Sequence, residues 1–257
     1  MYYHRLIISY KGTNYFGWQD LGNNSDKPTV QASIQKVLDK ICKYQDSIIS
    51  SASRTDAGVH AQGQVLKVSI PLEIESSKLQ LGMNSLLPPD IRILECETSN
   101  IGFNPNKDSV SKEYHYCFST DKVYNPILND IVTHISSNNG ILDIKLMKEA
   151  CNLFIGEHDF YCFAKRDTNM KSTIRTVLSC EILELQASAF SNKIYYLKIV
   201  GNGFLSHMVR YIMGALFELG NKKLSLKDIS EALKNHKEEK ISVKAKSKGL
   251  QLIGISY

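Results

Sequence analysis

No apolar run in this chain of 257 residues approaches the roughly 20 residues a membrane-spanning helix requires. An integral membrane protein is therefore not expected. The first apolar run, Leu6-Ile7-Ile8, is too short for the core of a secretory signal. Cysteine is sparse and scattered, since Cys42, Cys96, Cys117, Cys151, Cys162 and Cys180 contain no Cys-x-x-Cys pair. That excludes a disulfide frame or dithiol redox centre and fits reduced, mostly buried thiols in a cytoplasmic protein. Histidine offers no His-Glu-x-x-His or other paired ligand spacing, so no metal is expected.

What is present is an ordinary globular composition, 43% hydrophobic and 22% charged, enough for one large domain or two modest ones. The net charge of +5 resides wholly in Asn221–Tyr257, with nine lysines and four acidic residues, leaving residues 1–220 neutral in sum.

The most informative stretch is Arg54-Thr55-Asp56-Ala57-Gly58-Val59-His60-Ala61. It sets a carboxylate on a tight polar turn between the β-prone segment Ile48–Ala52 and the alternating segment Gln64–Ile70. Asp followed closely by Gly is also common turn chemistry. The second signal is Arg210, inside the apolar run Gly203–Leu219. Phe204, Met208, Tyr211, Ile212, Ala215 and Leu219 make one helical face, and Val209, Met213, Leu216 and Phe217 extend it around the other side. A helix buried nearly all round is expected, with no acid one turn before Arg210 and Gly214 one turn after it. A buried guanidinium keeps its proton and needs a carboxylate. Asp56 is the best candidate from a distance, and Glu157 and Asp159 compete.

Two α+β halves are expected, 1–105 and 106–257. The first has a strand at Tyr3–Tyr10, a helix from Val30 to about Cys42 capped by Thr29, strands at 48–53, 63–70 and 91–97, and a short helix at 77–85 stopped by Pro88-Pro89. A polar stretch over 100–109 marks the boundary. The second half has a strand at 111–118, a helix at 144–154 capped by Asp143, strands at 174–185 and 193–200, the buried helix from 204, a helix from Ser225 with Asp228 as capping partner, and a closing strand at 249–257. Strand, helix and paired strands recur in both halves, and antiparallel connections dominate.

The two signals together, Arg54–Ala61 and His207-Met208-Val209-Arg210, resemble the TruA family of tRNA pseudouridine synthases. Tyr10–Gln19, Thr29–Gln31, Asn84–Ile91, Lys112–Tyr116, Gly156–Phe160, Arg175–Val177 and Gly249-Leu250 follow in the family's order along the whole length. The resemblance implies mainly antiparallel sheets flanked by helices, an active-site cleft between the halves and a homodimer that presents tRNA. It also implies that Asp56 is the catalytic aspartate, Tyr114 the active-site tyrosine and Arg210 the partner of the aspartate. Arg54 resembles the arginine that replaces a flipped-out base. His60 either orients the turn or touches RNA, and Leu250 belongs to the substrate-binding set. Isomerising uridine oxidises nothing, so no cofactor is expected.

Three departures stand out against the family pattern: Ser53 for glycine, Asn106 where a basic residue is common, and Ala245-Lys246 with Gln251 where Ala-Pro and tyrosine are frequent. The core residues are intact, so the departures bear on target choice. The expected reaction is pseudouridine formation at tRNA positions 38–40. Other readings are another RNA site such as the upper anticodon stem, or a non-catalytic tRNA-binding protein. A glycosidase would carry two paired acids, and only one stands out. In the RNA reading the lysine-rich end is either a solvated surface or a contact for phosphates.

Overall fold

The computed structural model describes residues 1–22, 27–123, 125–135, 142–165, 172–185, 193–234 and 239–257. In chain order the elements are β1 (Tyr2–Tyr10), α1 (Val30–Ile41), β2 (Ile48–Ser51), β3 (His60–Ile70), α2 (Ser76–Leu86), β4 (Ile91–Thr98), β5 (Ser111–Ser119) and β6 (Thr133–His134). They continue as α3 (Ile144–Cys151), β7 (Gly156–Asp159), β8 (Ile174–Leu185), β9 (Ile194–Gly201), α4 (Met208–Gly220), α5 (Leu226–Ala232) and β10 (Leu250–Ser256). The fold is mixed α+β. The chain divides into two compact units, residues 1–110 with 251–257, and residues 111–250. Sequence reading carries the second half through to Tyr257; in the structure Gln251–Tyr257 group with the first unit.

In the first unit β1 pairs antiparallel with both β3 and β4, β2 pairs antiparallel with β3, and β10 pairs parallel with β3. Alternation along β1 buries His4, Leu6, Ile8 and Tyr10, as a period of two requires. Helix α1 starts where Thr29 accepts the Ala32 N–H at 3.3 Å, a cap worth about 1 kcal/mol. It buries the stripe Val30, Ile34, Val37 and Leu38. β3 starts at His60, earlier than its sequence pattern, because Gln251 and Leu252 pair with His60 and Ala61.

In the second unit the strands run β5-β9-β8-β7, all antiparallel, with β6 parallel to β5. Eleven of the thirteen residues of α4 are buried, so its sequence reading as a helix buried on nearly every side holds. Phe217 meets Phe118 and Tyr116 edge-on, at 5.2 and 6.1 Å between centroids. Gly220 lies so close to α3 that a Cβ would come within 2.8 Å of Leu142 and Met147. Asp143 caps α3 through Leu146 N–H at 2.9 Å, and Ser225 and Asp228 form the capping box of α5.

The start of α4 differs from expectation. The apolar periodicity predicts helix from 204, whereas α4 begins at Met208, because His207 adopts a left-handed backbone with φ 66° that no helical residue can share. Residues 204–207 are thus outside the helix.

Candidate active site

In the first unit the Asp56 loop is held mostly by backbone groups. Gln64, fully buried, takes both main-chain groups of Ser53: its Nε2 donates to the Ser53 carbonyl at 2.6 Å and its Oε1 accepts the Ser53 N–H at 3.2 Å. Thr55 is buried with its hydroxyl 2.7 Å from the Tyr10 hydroxyl, a hydrogen bond worth about 1 kcal/mol net. The turn closes as the Val59 N–H donates to the Asp56 carbonyl at 3.1 Å, with Gly58 at φ +77°, which favours glycine.

Beneath the loop, residues 10–18 form a saddle. Trp18 N–H donates to the Thr55 carbonyl at 3.0 Å, and Gly58 N–H to the Tyr15 carbonyl at 3.2 Å. Two glycines make this approach possible. A Cβ on Gly12 would stand 2.0 Å from the Val59 carbonyl oxygen, and one on Gly17, at φ +97°, would stand 2.8 Å from the Thr55 oxygen. His60 is 4% exposed and its Nδ1 accepts the Gly12 N–H at 3.1 Å, so it ties saddle to turn, with the neutral ring's proton on Nε2. Asp56 is half-buried and Arg54 exposed. Arg54, Asp56 and His60 thus share one rigid seven-residue segment.

The second unit carries the other residues. Tyr114 faces inward on β5, 6% exposed, with Phe204 edge-on at 5.2 Å and 79°. Phe204 reaches it because Gly201 has no side chain: a Cβ there would lie 3.1 Å from the Phe204 ring. Lys112 shares the buried face of β5 with Tyr114, and burial pushes its ammonium pKa down to about 8. Arg210, 9% exposed in the first turn of α4, donates from Nε to the Ala245 carbonyl at 2.8 Å, while the Ala245 N–H donates to the Arg210 carbonyl at 3.0 Å. This reciprocal pair fixes the plane of the guanidinium. Of the two rival acids, Glu157 is exposed on β7. Asp159 accepts the Tyr161 N–H at 3.0 Å and the Thr173 hydroxyl at the β7 corner. Leu250 opens β10, 6% exposed, after Gly249, where a Cβ would meet the Cys117 carbonyl oxygen at 2.6 Å.

Sequence reasoning gives no site role to Gly12, Gly17, Gln64 or Lys112, and it places Phe204 on a helical face, whereas the structure sets that ring outside the helix against Tyr114. Gly12 and Gly17 lie in a block that carries the family resemblance, and that block was their only signal. Lys112 has a signal too: a lysine in register with Tyr114 and Tyr116 on an alternating strand. Among the described residues no three His, Cys, Asp or Glu side chains are grouped to hold a metal, and no helix is long and apolar enough to cross a membrane.

The chain matches the model of a family described as tRNA pseudouridine synthase over residues 6–100 and 150–257. It is 47% identical over 259 residues to tRNA pseudouridine synthase A 2 of Desulfotalea psychrophila, covering 99% of this chain and 98% of that protein. It is 36% identical to tRNA pseudouridine synthase A of Listeria innocua, covering 99% and 98%, and 36% identical to tRNA pseudouridine synthase A 2 of Clostridium tetani, covering 98% of each.

Proposed function

Since this chain belongs to the TruA family of tRNA pseudouridine synthases, we propose that it isomerises uridine at tRNA positions 38–40, with Asp56 as nucleophile and without a cofactor. The family membership makes it an isomerase acting on tRNA. The reaction breaks the ribose C1′–N1 bond and joins C1′ to C5 of the rotated uracil. C5 loses a proton and N1 ends protonated, so product and substrate are isomers. No electron acceptor enters that balance.

The single observation that carries the reading is the Asp56 loop. Its backbone is clamped from both sides by buried partners, at Ser53, Thr55, Asp56 and Gly58, as a nucleophile held ready for attack requires. A carboxylate is ionised at neutral pH and attacks without an adjacent base, unlike a serine hydroxyl. In this reading Arg210 is the charge partner of that carboxylate and fixes its orientation toward the substrate. Tyr114 stacks on the uracil, an interaction worth about 1–3 kcal/mol per base, and its phenol accepts or relays the C5 proton. The target base must leave its stack before reaction. Arg54, exposed two residues from Asp56, fills the gap. His60 supports the turn, and Leu250 lines the base pocket. The active form is a homodimer working in the cytoplasm, and light scattering tests the first point.

The test is tritium release from unmodified tRNA labelled at uridine C5. Wild type should release the label, and Asp56→Ala should release none while binding tRNA within a few-fold of wild type. Equal release by the variant removes Asp56 from the chemistry. Failure of wild type to release label while binding tightly points to a different RNA target or to a tRNA-binding protein.

A further inference from the structure

Residues 240–248 form a stretch of chain without regular helix or strand over 243–246, carrying Lys240, Lys244, Lys246 and Lys248 and no acidic residue. Unlike an ordinary solvated lysine run, this strap is fastened to the second unit nearly residue by residue. Ser242 Oγ donates to the Tyr211 carbonyl at 3.1 Å, and the Val243 N–H to Glu218 Oε1 at 3.2 Å. Gly214 lets the Val243 carbonyl lie against α4, where a Cβ would stand 2.0 Å from that oxygen. Ala245 is held by the reciprocal pair with Arg210, and the Tyr116 hydroxyl donates to the Lys246 carbonyl at 2.8 Å.

On the strap every one of these fastenings uses main chain or the Ser242 hydroxyl, and none uses the side chain of Lys244 or Lys246. Lys246 is exposed, Lys244 half-buried, and Ala245 between them is turned in. Their Cα atoms are at most about 7 Å apart, comparable with the spacing of successive phosphates on one RNA strand. Lys244 Nζ also lies 3.2 Å from His207 Nδ1. At the far end Lys248 reaches Asn129 Oδ1 at 2.7 Å. Its pKa is lowered by burial and then by the neighbouring Lys246 charge, with Asp130 acting in the opposite sense. Like charges crowded on a fixed backbone repel one another, and an anion laid along them relieves that repulsion.

We propose that residues 240–248 are a phosphate rail, with Lys244 and Lys246 contacting consecutive phosphates of one strand of the bound tRNA. The proposal rests on the tRNA-enzyme reading above and adds a backbone-binding surface to it. A fixed backbone lowers the ordering cost of binding, so the lysines act as a preformed surface.

The test is the salt dependence of affinity for unmodified tRNA transcript, from filter binding at several KCl concentrations. The proteins are wild type, Lys246→Gln, the double variant Lys244→Gln with Lys246→Gln, the charge-preserving Lys246→Arg and the surface control Lys78→Gln. Each lysine removed from the rail should reduce the slope of log K against log salt by about 0.7–0.9, with weakening equal across tRNAs and expressed in KM. Lys246→Arg and Lys78→Gln should keep the wild-type slope. An unchanged slope in the double variant, or an equal loss in Lys78→Gln, overturns the rail. If wild type still releases tritium in that case, the enzyme reading stands without it. A wild type that neither binds nor turns over tRNA removes both.

Discussion

At Gly17 two separate penalties meet in one residue: φ is +97°, and any Cβ would stand 2.8 Å from the Thr55 carbonyl oxygen. We expect Gly17→Ala to lower the unfolding free energy by about 2 kcal/mol, read as a reduced urea midpoint. Tritium release should also fall, because the Thr55-Asp56 peptide must shift. Gly254→Ala, where nothing lies within 4 Å, should be nearly silent, and equal effects from the two would refute the saddle. The turn that carries Asp56 is legible in the sequence, because a carboxylate and a glycine between two strand-like segments is a local pattern. The saddle is not, because its contacts join residues 10–18 to a loop some forty residues later, and no periodicity encodes them. His60 shows the same division. Its place in the motif is local, whereas its bond to the Gly12 N–H depends on where β1 ends.

At the scale of elements, α4 sets two tendencies against each other at Gly214. Alanine is favoured over glycine in a helix interior by about 1 kcal/mol, yet a Cβ there would lie 2.0 Å from the Val243 carbonyl oxygen and 2.9 Å from Ser242 Oγ. Backbone cannot give way as a flexible side chain does, so the clash should win. Gly214→Ala is predicted to lower the urea midpoint and to free the strap, detected as faster proteolysis near Val243. A more stable variant would mean that the strap yields easily. Helices α1, α3 and α5 are legible because Thr29, Asp143 and Ser225 announce their starts with local caps. The start of α4 is not, since the run from Phe204 looks helical by period, and the left-handed backbone of His207 leaves no mark on composition. β6 and β7, two and four residues long, are too short to display alternation.

For the molecule as a whole, the pH dependence of stability carries a signature of Lys112. Burial brings its pKa from 10.5 down to about 8, so between those values the unfolded chain binds a proton that the folded chain lacks. Stability from this group therefore rises with pH across that window, and below pH 8 the penalty for burying the charge is fully present. The gain of Lys112→Met over wild type in urea midpoint should be largest near pH 7.5 and vanish by about pH 10.5. Tyr116 and Tyr257, both raised to about 12 mainly by burial, lose stability at higher pH in both proteins and cancel in the difference. A gain that does not change with pH would mean that the ammonium is compensated within the fold. Fold class and the order of most elements are legible because they follow from period and capping. The return of β10 to the first unit is not, since an alternating strand says nothing about its neighbour. That return also sets a timetable. Gln62 and Gln251, joined side chain to side chain at 2.8 Å, are 189 residues apart, and pairings so distant in sequence form slowly. During translation the β3 edge beside the Asp56 turn stays without its parallel partner until residue 251 has emerged, so the support of the proposed nucleophile is acquired late in the making of the chain.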